Sequence, residues 1–119
     1  MVEFSKIYSG YNLLHFLENY MNLTIKKWRD IPTMVMIKKS RREVEKVQLD
    51  NRFMEAVDSA ASVADATDAD SYLTDWNDEI IEIADGDLRE PVEKKAAELE
   101  IEFSSEVLLS YVNNGGYKP

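Results

Sequence analysis

Residues 75–87 read DWNDEIIEIADGD, a run in which Asp75, Asp78, Glu79, Glu82, Asp85 and Asp87 stand without one basic side chain among them. Neighbouring carboxylates can do general acid–base work, hold a cation, or imitate a row of phosphates. The first needs a cleft that raises a pKa, and nothing in the sequence supplies one for pairs such as Asp78 and Glu82. The second fails on spacing. In DADSYLTDWNDE, Asp68, Asp70 and Glu79 match the first, third and twelfth positions of an EF-hand loop, but Tyr72 stands where an oxygen is wanted and Leu73 replaces the turn glycine. His15 is the only histidine, there is no cysteine, and the four glycines make no phosphate-cradling loop. The expectation is a protein that is not an enzyme, with no metal site and no cofactor.

The third possibility depends on what positions the acids. A helix over residues 71–85, capped by Asp70 or Ser71 and closed by Gly86 at positive φ, would gather Tyr72, Trp76, Ile80 and Ile83 into one arc. Asp75, Asp78, Glu79, Glu82 and Asp85 would then share the opposite face, with neighbours about 5–6 Å apart. Like charges so placed cost a few tenths of a kcal/mol per pair. Asp68, Asp70, Asp87 and Glu90 would extend the surface at either end. A solvated face of an acidic protein is one explanation. The other is a surface that recognises a basic partner, its carboxylates spaced like phosphates along a nucleic-acid strand.

The segment 78–85, DEIIEIAD, followed by a turn and AAELEIEF at 96–103, resembles the phage Ocr type of anti-restriction protein. That resemblance implies an acidic, mostly helical, dimeric mimic of DNA that occupies the DNA-binding groove of a restriction enzyme. Asp75, Asp78, Glu79, Glu82 and Asp85 would then stand in for phosphates. The chain departs from that type at its front, where residues 1–48 carry nine Lys/Arg against five Asp/Glu; residues 49–119 carry five against eighteen.

The basic part is IKKWRD and IKKSRRE, with Lys26, Lys27, Trp28, Arg29, Lys38, Lys39, Arg41 and Arg42. These residues could hold phosphates while Trp28 stacks on a base. They could also form a solvated surface with the tryptophan turned inward, or face the acidic half within one fold or across a dimer.

The remaining pattern predicts the frame. A helix is expected over 11–22, a strand over TMVMIK (33–38), and a long helix from a Ser40–Glu43 capping box to about Ala66 on the stripe Val44, Val47, Leu49, Phe53, Val57, Ala60 and Ala64. Another helix begins near Pro91, bearing Val92, Ala96 and Leu99. ELEIEF reads as a helix end in preference to a strand, with Phe103 stapled onto Leu108 and Ser104 capping a last helix to Val112. The expected fold is mainly α: one domain, 1–119, of four to five helices with one short strand or hairpin near 33–38 and a flexible tail, 113–119. With 119 residues, 45% hydrophobic and a net charge of −9, the chain has ordinary globular composition and no run of about 20 apolar residues to span a bilayer. A cytoplasmic location, that of the host if phage-encoded, fits the absence of cysteine and of a leader pattern.

The leading function is therefore a phage-derived interaction protein that inhibits a host nucleic-acid-binding or defence enzyme through Asp68, Asp70, Asp75, Asp78, Glu79, Glu82, Asp85 and Asp87. Its partner is a basic protein surface, with a homodimer left open and no membrane. The alternatives are a small nucleic-acid-binding regulator using residues 26–42 and a phage structural or assembly adaptor.

Overall fold

The computed structural model of the protein describes residues 19–119. Its centre is an antiparallel sheet of four strands, β1 (Tyr20–Trp28), β2 (Ile31–Lys38), β3 (Val44–Gln48) and β4 (Trp76–Ala84), in the spatial order β3-β2-β1-β4. Four helices complete it: α1 (Asn51–Val63), α2 (Ala69–Thr74), α3 (Arg89–Glu102) and α4 (Ser105–Asn113). The domain is mixed α/β, which corrects the mainly helical expectation with its single short strand.

The alternation in YMNLTIKKW explains β1. Met21, Leu23 and Ile25 are buried, while Asn22 is exposed and Thr24 and Lys26 are half-buried, a period of two rather than 3.6. The helix expected over 11–22 therefore does not include Tyr20, Met21 and Asn22; residues 11–18 of it lie outside the described residues. In β2, Val35 and Ile37 are buried on the same side, and Val47 of β3, opposite Val35, packs against them.

Ser40 and Glu43 make half of a capping box, the serine oxygen taking the Glu43 amide, but they make it in a hairpin, where the carboxylate meets the Ser40 hydroxyl and not its amide. The Ser40 hydroxyl accepts from the Glu43 amide at 3.3 Å and donates to its carboxylate at 3.3 Å. The Lys39 amide meanwhile donates to the Glu43 carbonyl at 2.9 Å, closing the β2–β3 turn. Val44 continues into β3, and the helix starts only at Asn51, where the Asp50 carboxylate accepts from the Arg52 amide. From there the apolar stripe holds, with Phe53, Val57 and Ala60 buried, whereas Val44 and Val47 belong to β3 and the buried Leu49 precedes the helix.

The helix expected over 71–85 divides into the short α2 and the strand β4. Ile80, Ile81 and Ile83 are β-branched and favour extended backbone. A strand also sets the acids against the lysines of β1, a relief that an isolated helix lacks.

The last two helices match the expectation. Val92, Ala96 and Leu99 of α3 are buried, and Phe103 ends the helix. Ser104 then caps α4, its hydroxyl accepting from the Val107 amide at 3.3 Å, with Leu108 and Val112 buried. The core is one cluster of β1, β2, α1, α3 and α4 side chains around the fully buried Trp28, Ile31, Phe53 and Val57. Residues 113–119, expected as a flexible tail, run back to the β1–β2 turn: the Asp30 amide donates to the Gly116 carbonyl and the Lys118 amide to the Asp30 carboxylate.

Because α3 packs chiefly against β3 and β2, it leaves the inner side of β4 thinly covered, while Met21, Leu23 and Ile25 of β1 stay buried. Ile81 and Ile83 are only half-buried there. Among the described residues no helix is long and apolar enough to cross a membrane.

Candidate interaction surface

The antiparallel register of β1 and β4 brings the two ends of the charge distribution together. Lys26 lies directly opposite Asp78 and Lys27 opposite Asn77, one step from Glu79 on the same inner face. The Lys26 ammonium is 3.0 Å from the Asp78 carboxylate and that of Lys27 is 3.1 Å from Glu79. Arg29 reaches Asp75 at 3.0 Å, and Lys39 of the hairpin reaches Asp85 at 2.6 Å. In the last pair each partner shifts the other: the Lys39 hydrogen bond holds the Asp85 carboxyl below the usual carboxylate range, and Asp85 raises the Lys39 ammonium above its ordinary value.

The proposed phosphate-like row is thus neither on a helix nor free. Asp75, Asp78, Glu79 and Asp85 are bound by cations of the same chain, so of the five only Glu82 lacks an ion pair among the described residues. Asp68, Asp70 and Asp87 also have none, but they stand at opposite ends of β4, whose nine residues span about 30 Å. The Ser71 hydroxyl and amide beside Asp68 hold its carboxyl below the ordinary range. Asp87 accepts from the Glu90 amide at 3.1 Å at the start of α3.

The basic segment divides in the same way. Lys26, Lys27, Arg29 and Lys39 are taken up by acids, whereas Lys38, Arg41 and Arg42 are exposed around the β2–β3 turn with no ion pair among the described residues, as is Lys46 of β3. Trp28 is fully buried, its Nε1 donating to the Tyr72 carbonyl at 2.8 Å and its ring stacked 5.8 Å from Tyr72. It offers no face to a base.

Arg29 has a role that the sequence pattern did not reveal. Its guanidinium lies 4.7 Å from the Trp28 ring and 4.7 Å from the Tyr117 ring, is paired with Asp75, and donates to the Gly115 carbonyl at 2.8 Å. It ties the β1–β2 turn, the start of β4 and the tail into one knot.

A second surface also went unread. A groove of about 500 Å³ runs between β4 and α3, floored by Leu23, Ile81 and Ile83 and walled by Pro91, Lys94 and Glu98, with Asp85 and Asp87 at its mouth. A polar hollow of about 280 Å³ continues the same side around Ile25, Glu79, Lys95 and Tyr111. The alternation of Ile81 and Ile83 in EIIEIA was its signal. Among the described residues no group of three or more His, Cys, Asp or Glu is placed to hold a metal ion.

No curated protein and no solved structure matches the chain. Residues 26–112 match the family described as Virulence factor, a match that runs from the lysine holding Asp78 to the last buried residue of α4. The chain belongs to the Virulence factor family.

Proposed function

We propose that the protein acts without catalysing a reaction, by binding a basic surface of a partner protein. The observation that carries this reading is an acidic corner where α1 passes into α2. Asp58, Asp65, Asp68 and Asp70 are exposed there without an ion pair among the described residues, in the same stretch as Val63 and Leu73, which are 55% and 64% exposed. An exposed acidic stretch that also bears two exposed apolar side chains suits a basic protein face, and the net charge of −9 speeds encounter with it.

A nucleic-acid-binding host enzyme has such a face, and occupying it would inhibit the enzyme. That finer reading rests on charge complementarity alone. A continuous imitation of the phosphate backbone is not part of it, because four of the carboxylates are neutralised internally.

The test uses immobilised protein and a panel of purified nucleic-acid-binding enzymes. Retention that duplex DNA displaces and that Asp65→Lys, Asp68→Lys and Asp70→Lys together abolish is the expected result. Retention indifferent to both overturns the reading.

A second reading has its own observation. The exposed Lys38, Arg41, Arg42 and Lys46 make a basic hairpin that could lie against phosphates. A gel shift at about 50 mM salt that weakens steeply with added salt would favour it over a protein partner.

A further inference from the structure

The open edge of the sheet is β4, and its hydrogen-bonding geometry can be read from its two ends. At one end the Arg29 amide donates to the Asp75 carbonyl at 2.9 Å, and at the other the Asp85 amide donates to the Asn19 carbonyl at 2.6 Å. Both are bonded pairs of an antiparallel ladder, and they lie an even number of positions apart in one unbroken register. Bonded and non-bonded pairs alternate, so residues 75, 77, 79, 81, 83 and 85 turn their amides and carbonyls to β1. Those of Asp78, Ile80 and Glu82 therefore point away from the sheet. Among the described residues no hydrogen bond from these outward groups is present and no strand lies beyond them.

Such an edge pairs with another strand unless something blunts it. The other edge, β3, is five residues long and is packed against α3. β4 is nine residues long, has no proline or bulge against β1, and shows Ile80 at 61% exposure. Beside its outward groups opens the groove floored by Ile81 and Ile83.

We infer that β4 accepts an extended segment of a partner protein as a fifth strand, with alternate apolar side chains of that segment entering the groove between β4 and α3. The partner segment alternates apolar with basic residues. Asp87 and Glu90 line the groove without an ion pair among the described residues, against Lys94 as the one lining cation in that condition. Glu82, likewise unpaired among the described residues, stands on the opposite face of β4, where the basic side chains of the segment would fall. A second copy of this chain fits poorly, since it would bring the acids of its own β4 to the same edge under a net charge of −9 on each copy. Backbone pairing gives the affinity, and the groove selects the side chains. This inference rests on the proposed basic protein partner and names how that partner is held.

The probes are labelled nine-residue peptides alternating valine with lysine, and valine with glutamate, followed by fluorescence anisotropy and by amide hydrogen exchange of the full chain. The lysine peptide should bind, the glutamate peptide should not, and the Ile80 and Glu82 amides should exchange more slowly in the complex. Ile80→Pro removes one outward N–H, leaves the β1 ladder whole, and should weaken binding about tenfold at an unchanged melting temperature. Ile81→Pro cuts a ladder bond and serves as the folding control. Equal binding of both peptides, no binding, binding indifferent to Ile80→Pro, or β4 amides already protected in a self-associated chain would each overturn the inference. If enzyme capture is lost with the Asp65, Asp68 and Asp70 reversals yet survives Ile80→Pro, the basic partner stands and strand addition falls.

Discussion

Lys26 and Asp78 face each other across β1 and β4, Nζ to Oδ1 3.0 Å, in a pair 52 residues apart in sequence. Their side chains are 40% and 45% exposed, so the attraction is screened and modest. Asp78→Lys places like charges opposite each other and should cost under about 1 kcal/mol in urea unfolding. Combining it with Lys26→Asp should recover the midpoint. A double variant no better than the worse single variant would show that the pair is not coupled.

Arg29 should be far less tolerant. Replacing it by alanine removes the Asp75 pair, the bond to the Gly115 carbonyl and two ring contacts, with side-chain exposure of only 14%. The expected loss is about 2–3 kcal/mol, read as a lowered urea midpoint. Lysine should not rescue it, because one ammonium cannot serve a carboxylate, a carbonyl and two ring faces in that geometry. Full recovery with lysine would reduce the knot to simple charge.

Gly116 is a stricter site. At φ 97° its missing Cβ would lie 2.8 Å from a ring carbon of the fully buried Trp28. Gly116→Ala should therefore displace the tail or the indole, cost upward of about 2 kcal/mol, and shift tryptophan emission to the red. An unchanged emission maximum and stability would mean that the tail does not hold this position in solution.

Burial raises the Tyr111 hydroxyl above its ordinary value, with Asp30 and Glu102 adding to the shift. Tyr111 packs edge-on against Phe103 at 5.1 Å. A folded pKa above the unfolded one means the contribution is whole below pH 10 and is lost as pH rises through the folded value. Ultraviolet titration should show a late-ionising tyrosine, and Tyr111→Phe should make stability fall less between neutral pH and the alkaline limb. Identical limbs for both proteins would contradict this.

The parts legible in the sequence were those decided locally. Ser104 with Phe103 and Leu108, Pro91 with Val92, Ala96 and Leu99, and the stripe from Phe53 to Ala60 satisfy capping and periodicity within a few residues of themselves. Ser40 and Glu43 show the limit of that logic, since their mutual hydrogen bonds suit a hairpin turn as well as a helix start. Residues 76–84 were misread for a different reason. Trp76, Ile80 and Ile83 fit a helical period, Ile81 and Ile83 fit a strand period, and the choice is made by β1, far away in sequence. The acidic row and the basic segment were both legible, and their pairing within one fold was one of the readings the sequence left open. Which of those readings holds, and which lysine meets which acid, follows only from the register, and the groove beside β4 exists only because α3 settles over the other half of the sheet.

The placement of β1 between an early neighbour and a late one has a consequence for synthesis. Residues 49–75 separate β3 from β4, so a ribosome delivers β1, β2 and β3 before residues 76–84, and until then β1 lacks its β4 neighbour. Leu23 and Ile25 are then open to wrong pairings, while Lys26 and Lys27 keep identical neighbours apart by repulsion. The same two lysines, a repulsive pair while the strand is alone, become the clasp of the strand that completes the sheet.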